Sequence, residues 1–218
     1  MTETAKFWLD WVVQALVAAG TLGAVYAALF GEAFKAKRVR LSASIEQRRG
    51  VFTPTRTPVF LRRGNEVMQG GYNEGASRYY QLRVQNMSKR FPAHHVNVWL
   101  LRVDQYANNA WASTWTGEIP LIWQHQDHIP SPRTIGNPAN ADVFAISSEG
   151  VLSLQPQILA LNLPREYRDA CQLALTVQIR SDEIVGGDIR IRVEWDGRWH
   201  PDEDEMERHV AFELVDAT

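Results

Sequence analysis

The chain contains 218 residues, of which 45% are hydrophobic and 22% are charged, and its formal net charge is −2. This composition is typical of a chain that folds around an apolar core, and it excludes general disorder and a wholly basic nucleic-acid-binding protein. The single cysteine, Cys171, excludes an intrachain disulfide framework and a multi-cysteine zinc or iron–sulfur site.

The most apolar segment lies near the N-terminus, where residues 11–30 carry no charged side chain. A helix of about 20 residues spans ~30 Å, the thickness of the hydrocarbon core of a bilayer. We therefore predict an N-terminal flank at 1–10, a transmembrane helix at 11–31 and a basic juxtamembrane linker at 32–40. The alternatives are a buried helix of a soluble domain and a cleaved signal peptide, although the flank has only Lys6 as a basic residue and ends at Asp10.

Basic residues are concentrated on the C-terminal side of the predicted helix, at Lys35, Lys37, Arg38 and Arg40. The positive-inside rule then predicts that the larger C-terminal domain lies in the cytoplasm. We expect these four side chains to contact lipid head groups. An ordinary solvated surface is the alternative. No nucleic-acid partner is predicted, because acidic residues outnumber basic ones after residue 64 and would repel phosphate.

Small residues recur at spacings of three and four along the apolar segment. Such a pattern lets helix backbones approach closely in lipid, so it predicts a homo-oligomer or pairing with another membrane protein. The alternative is that glycine and alanine are simply common in membrane helices. The predicted helix–helix contact consists of Gly20, Gly23, Ala24, Ala27, Ala28 and Gly31.

Residues 41–216 are predicted to form an all-β domain. Apolar and polar residues alternate there with a period of two, which is typical of antiparallel strands that have one buried face. Several short strands separated by turn residues indicate an immunoglobulin-like antiparallel β-sandwich. We expect a long loop or sheet edge at 118–145, one helical turn at 164–170 and an exposed acidic loop at 202–207. The predicted strands are 41–45, 80–85, 96–103, 173–179, 189–195 and 210–214.

The sequence contains no recognisable catalytic motif, so neither an enzyme nor a cofactor is predicted. His125 and His128 are spaced three residues apart in a proline-flanked segment, and no metal site is assigned to them. Cys171 begins an apolar strand and is predicted to be a buried, inert thiol.

Tryptophans provide a possible partner surface, at Trp111, Trp115 and Trp123. Aromatic residues concentrate binding energy at protein interfaces, which is why these three are candidates. The alternative is that they fill the core of the sandwich.

Two stretches carry a resemblance to a known group of proteins: TLGAVYAALFGEAF near the start, and YYQLRVQNMSKRFPAHHVNVWLL later. Together with the segment IPLIWQHQDHIPSP, they resemble small bacterial membrane proteins of unknown role. The resemblance implies one N-terminal transmembrane helix in the inner membrane and a cytoplasmic immunoglobulin-like domain, and it brings no catalytic residues. The expected function is a membrane-tethered binding or sensing module. The alternative is an oligomerising, membrane-perturbing effector of a bacterial defence system.

Overall fold

A computed structural model describes residues 3–36, 39–63, 66–88, 90–125 and 132–215. Within these residues the chain forms one long helix, α1 (Glu3–Ala36), followed by strands and one short helix, α2 (Glu203–Glu207). The strands are β1 (Leu41–Ser44), β2 (Val51–Arg63), β3 (Glu66–Asn86), β4 (Ala93–Ala107), β5 (Ala110–Pro120), β6 (Ile122–Trp123), β7 (Arg133–Ile135), β8 (Ala139–Ser147), β9 (Val151–Leu154), β10 (Glu166–Tyr167), β11 (Cys171–Arg180), β12 (Val185–Trp195) and β13 (Val210–Val215).

Helix α1 is longer than the predicted span of 11–31. It has 34 residues and continues through the first part of the predicted linker, so its length is ~51 Å at 1.5 Å per residue. No proline interrupts it, and alanine and leucine favour a helix throughout. Its window Trp11–Ala28 is long and apolar enough to cross a membrane, and none of that window is buried against the rest of the protein. The N-terminal apolar helix predicted from the sequence is therefore confirmed.

The rest of the chain forms two antiparallel sheets that pack face to face. One sheet has the strand order β1-β3-β8-β9-β10, with β2 also paired to β3 and β6 to β8. The other has the order β13-β12-β11-β4-β5, with β7 also paired to β4. The all-β sandwich predicted from alternating residues is confirmed.

The core lies between the two sheets and is built from the alternating apolar positions. Tyr80 of β3 stacks on Phe144 of β8, with ring centroids 4.5 Å apart. Phe212 of β13, in the other sheet, meets both rings edge-on at 5.8 and 5.3 Å. These contacts join the inner faces of the two sheets, and aromatic pairs of this kind add stability beyond the burial of their area.

Three expectations about local structure are wrong. The stretch 118–145 is neither one long loop nor a simple sheet edge, because it contains β6, β7 and the buried strand β8, which pairs with both β3 and β9. The stretch 164–170 contains β10 instead of a helical turn. The acidic run forms α2, because the side chain of Asp202 caps the helix by accepting hydrogen bonds from the backbone N–H groups of Asp204 and Glu205.

Strands β2 and β3 form a hairpin that is longer than the sheet to which they belong. Their register runs from Val51 opposite Tyr79 to Arg63 opposite Glu66, whereas β3 pairs with β8 only from Ser77 onward. The two prolines of β2, at 54 and 58, are compatible with an edge strand, where a missing N–H breaks no ladder. Within the described residues, 56–63 and 66–74 therefore form a two-stranded ribbon beyond the sandwich.

Arg78 of β3 ties the first sheet to the connection between β12 and β13. Its side chain is 1% exposed, and its guanidinium donates to the carbonyl oxygens of Arg49, His200 and Pro201 at 3.4, 3.5 and 2.5 Å. It also lies 5.5 Å from the centroid of the Phe52 ring. A buried charge of this kind is tolerated because its donors are used and its face rests on an aromatic ring.

Candidate functional site

The predicted helix–helix contact lies on an open surface of α1. A Cβ atom added at Gly20 or Gly23 would meet no atom within 4 Å, and Ala24, Ala27 and Ala28 are exposed. The surroundings of Gly31 lie outside what the structure describes. The small-residue face is therefore available to a second helix from Gly20 to Ala28.

Of the predicted head-group contacts, Arg40 is described and is exposed. Its carbonyl oxygen accepts a hydrogen bond of 2.7 Å from the backbone N–H of Met87, at the end of β3. The side chain of Lys35 and the residues Lys37 and Arg38 lie outside the described part. The bond at Arg40 attaches the chain to the sandwich within four residues of the end of α1.

The three predicted surface tryptophans do not share one surface. Trp123 is 0% exposed and belongs to the core, so its assignment to a partner surface is wrong. Trp115 packs partly buried against the core. Trp111 is 41% exposed and lies 5.4 Å from the Tyr106 ring, beside the turn that joins β4 to β5. Of the three predicted tryptophans only Trp111 is exposed, and it forms an aromatic pair with Tyr106, which is not one of the three.

Cys171 and the described histidines do not form a metal site. Cys171 is 8% exposed, and burial raises the pKa of its thiol to about 12, so the thiol is protonated at neutral pH. The Nδ1 atom of His95 lies 2.5 Å from Asp182. His128 lies outside the described residues. In the described part of the chain, no three histidine, cysteine or acidic side chains are grouped as metal ligands would be.

A cavity of about 300 Å³ with a mixed polar and apolar lining lies on the outward face of the first sheet. Tyr80 and Leu82 of β3 point into the core, so Gln81 between them points outward. Gln81 pairs with Asp142 of β8, directly after a register shift between Tyr80 and Gln81. The residues that line the cavity are Val51, Thr53, Tyr79, Gln81, Ile122, Trp123, Gln124, His125, Asp142 and Gln155.

Asp142 is the charged group of this cavity, and it is 7% exposed. Its Oδ1 atom accepts a hydrogen bond of 2.7 Å from Nε2 of Gln81. Gln81 in turn accepts from Asn140, whose amide also donates to Gln124 at 3.0 Å. This chain of amides fixes the orientation of Gln81 and, through it, that of the carboxylate.

Burial raises the pKa of Asp142 to about 6, while the hydrogen bond from Gln81 and the charges of His125 and Arg133 act in the opposite direction. Neither His125 nor Arg133 forms an ion pair with Asp142. Arg133 instead lies 5.7 Å from the centroid of the Trp123 ring and donates to the carbonyl oxygen of Gln124. The carboxylate is therefore nearly buried, half-satisfied by hydrogen bonds and without an ion-pair partner among the described residues, which is costly unless a ligand or a proton compensates it.

Sequence reasoning missed this cavity. The signal was the segment ADVFAI, in which a single carboxylate stands inside an otherwise apolar run. The interpretation of 118–145 as a loop hid it, because an aspartate in a loop is ordinary and an aspartate in a central strand is not.

No protein-family model matches this chain, and a search of curated proteins found no significant match.

Proposed function

We propose that this protein is a membrane-tethered binding or sensing module. In this proposal α1 crosses the inner membrane of a bacterium once, and the sandwich lies on the cytoplasmic side and binds a ligand or a protein partner there. The observation that carries the proposal is α1 itself, whose apolar window Trp11–Ala28 is wholly unburied in the protein. A surface of that size and composition is stable in lipid and unstable in water.

The short connection between α1 and the sandwich supports a tether. Helix α1 ends at Ala36 and β1 begins at Leu41, so five residue steps separate them, a distance of at most ~17 Å when fully extended. The sandwich is thus held close to the bilayer, which raises its effective concentration for anything bound to the same membrane. The basic residues Lys35, Lys37, Arg38 and Arg40 favour the cytoplasmic side and contact with lipid head groups.

The immunoglobulin-like character of the sandwich is part of the proposal. It is supported by the adjacent order β5-β4-β11-β12 in one sheet, with β1, β3 and β8 adjacent in the other. Such sandwiches present partner surfaces on their loops and faces. The exposed pair of Tyr106 and Trp111 is the candidate protein contact.

A second candidate function is an oligomerising effector that perturbs the membrane. The open small-residue face of α1 favours it, because Gly20 and Gly23 leave room for close approach of a second helix. The two candidates differ in what α1 must do: a tether requires only length and apolar character, whereas an effector requires this face.

The first experiment tests the membrane location. Full-length protein with a C-terminal reporter is expressed in bacteria, and membranes are extracted with alkaline carbonate. We expect the protein to stay in the membrane pellet. A reporter that works only in the cytoplasm should be active, and a reporter that works only in the periplasm should be inactive. Recovery in the soluble fraction without detergent, or reporter activity in the periplasm, would contradict the proposal.

The second experiment separates the two functions. Gly23 and Ala27 are changed together to leucine, and the matched control changes Val25 and Tyr26, outside the small-residue face, to leucine. An effector loses cross-linked oligomers and toxicity only in the first variant. A tether keeps its location and partner binding in both variants, and also when α1 is replaced by an unrelated apolar helix of equal length.

A further inference from the structure

The cavity beside Asp142 has no role in anchoring the chain. We propose that it binds a small ligand through a protonated amine or guanidinium group, which Asp142 holds by charge-assisted hydrogen bonds. This assignment rests on the proposed function of the sandwich as a binding module, and it specifies the ligand chemistry of that module.

The cavity offers hydrogen-bond acceptors that the described residues do not use. Oδ1 of Asp142 takes its bond from Gln81, while Oδ2 accepts from no described group. Gln155 donates through Nε2 to the carbonyl oxygen of Ser153 at 3.1 Å, and its own carbonyl oxygen accepts from no described group. The hydroxyl groups of Thr53 and Tyr79 complete the polar lining. A set dominated by a carboxylate and an amide oxygen matches a ligand that donates several N–H bonds.

The charges around the cavity exclude an anionic head group. A phosphate or carboxylate placed beside the nearly buried Asp142 would meet a like charge at low local dielectric. Arg133 is not free to neutralise such a ligand, because its guanidinium is engaged over the Trp123 ring and with Gln124.

An aromatic ring and the size of the cavity narrow the ligand further. Tyr79 lines the same cavity as Asp142, and a cation is attracted to the face of an aromatic ring. A volume of about 300 Å³ is at the small end of ligand pockets. It suits a head group of a few atoms with a short apolar stem, which Val51 and Ile122 can contact, and it is too small for a dinucleotide or other large cofactor.

The test uses the full-length protein in detergent micelles at pH 7.5, with butylguanidinium as the probe and the neutral isostere butylurea as its control. Binding is measured by ligand-observed NMR, with tryptophan fluorescence as a second readout. We expect butylguanidinium to bind at least about tenfold more tightly than butylurea, the factor expected for one charge-assisted hydrogen bond. Butyrate is not expected to bind.

Two variants locate the site. Asp142→Asn keeps the shape of the side chain and removes its charge, so it should weaken butylguanidinium binding by about tenfold or more. The matched control is Asp188→Asn, because Asp188 also accepts from a glutamine of the neighbouring strand, Gln178 at 3.1 Å, but lies exposed on the other sheet. The control variant should bind like the wild type.

A third variant, Thr53→Phe, keeps the test decisive if Asp142→Asn does not fold. Thr53→Phe narrows the cavity from β2 without touching the carboxylate, and it should also abolish binding while the circular dichroism spectrum is unchanged. The inference is overturned if the wild type does not bind butylguanidinium, if it binds butylurea equally well, or if Asp142→Asn and Thr53→Phe both bind like the wild type. Carbonate extraction of the same proteins tests the membrane location separately. Failure of the ligand site and failure of the membrane location are therefore distinguishable.

Discussion

Asp142 should make the stability of the sandwich depend on pH in an unusual direction. Its pKa is raised from the ordinary value of 3.8 to about 6 in the folded protein because the side chain is buried. Below about pH 3 the carboxyl is mostly protonated in both the folded and the unfolded chain, and almost no penalty arises. As the pH rises from about 4 to 6, the unfolded chain ionises first, so the folded state loses stability. A difference of about two pKa units corresponds to ~3 kcal/mol.

Asp142→Asn removes this penalty, and the measurement is the difference in the free energy of unfolding between variant and wild type. That difference should shift by ~2.4 kcal/mol in favour of the variant between pH 4 and pH 7.5, because the unfolded carboxyl is already partly ionised at pH 4. Full-length protein in micelles is unfolded with urea and followed by tryptophan fluorescence at both pH values. Any effect of the new amide on stability that does not depend on pH is the same at both pH values and therefore cancels. A difference that does not change with pH, or that changes in favour of the wild type, would refute the assignment of a buried, uncompensated carboxylate.

Three further predictions concern the packing around the cavity and the core. Phe144→Ala should lower the free energy of unfolding by ~3–5 kcal/mol, since it opens a cavity between the stacked rings, whereas Leu161→Ala, at a fully exposed position, should change it by less than ~0.5 kcal/mol in urea unfolding. Arg78→Met should lower the free energy of unfolding by ~3 kcal/mol in the same assay, because the carbonyl oxygens of Arg49, His200 and Pro201 lose a donor whose side chain is buried; a neutral result would mean that water replaces the guanidinium. Cys171 should resist maleimide at pH 7.5 until urea unfolds the sandwich, and rapid labelling of the folded protein, seen by mass spectrometry, would contradict its burial.

Alternation was a sufficient signal for the strands that have one wet face. Strands β1, β11 and β13 follow it closely, and the structure places them within one or two residues of their predicted bounds, whereas β12 begins four residues before its predicted start at 189. Strand β8 escaped detection because it is buried over six consecutive residues, from Ala141 to Ile146, and a fully buried strand has no period of two. The prolines and histidines that precede it added a loop-like composition that made the error worse.

The candidate sites also differ in whether the sequence alone could reveal them. Helix α1 could be found from a single sequence because the bilayer requirement is one of length and polarity alone. The Asp142 cavity could not, since it arises from pairing between β3 and β8, which lie about 60 residues apart, and from the depth of burial that the pairing creates. Trp123 illustrates the same limit: it pairs with Ala141 on the inward side of the sheet, and nothing local in the sequence distinguishes that environment from the exposed one of Trp111.

Strand β3 connects the chain that leaves α1 with the cavity beside Asp142. Its C-terminal end meets the chain that leaves α1, where the N–H of Met87 binds the carbonyl oxygen of Arg40. Gln81, which orients Asp142, lies six residues earlier on the same run of chain, a distance of ~20 Å along an extended strand. Gln81 therefore lies near the middle of the part of β3 that belongs to the sandwich, which begins at Ser77. The ribbon of β2 and β3 extends from the end of this part that is farther along the chain from Met87, so β3 connects the cavity with both the ribbon and the chain that leaves α1.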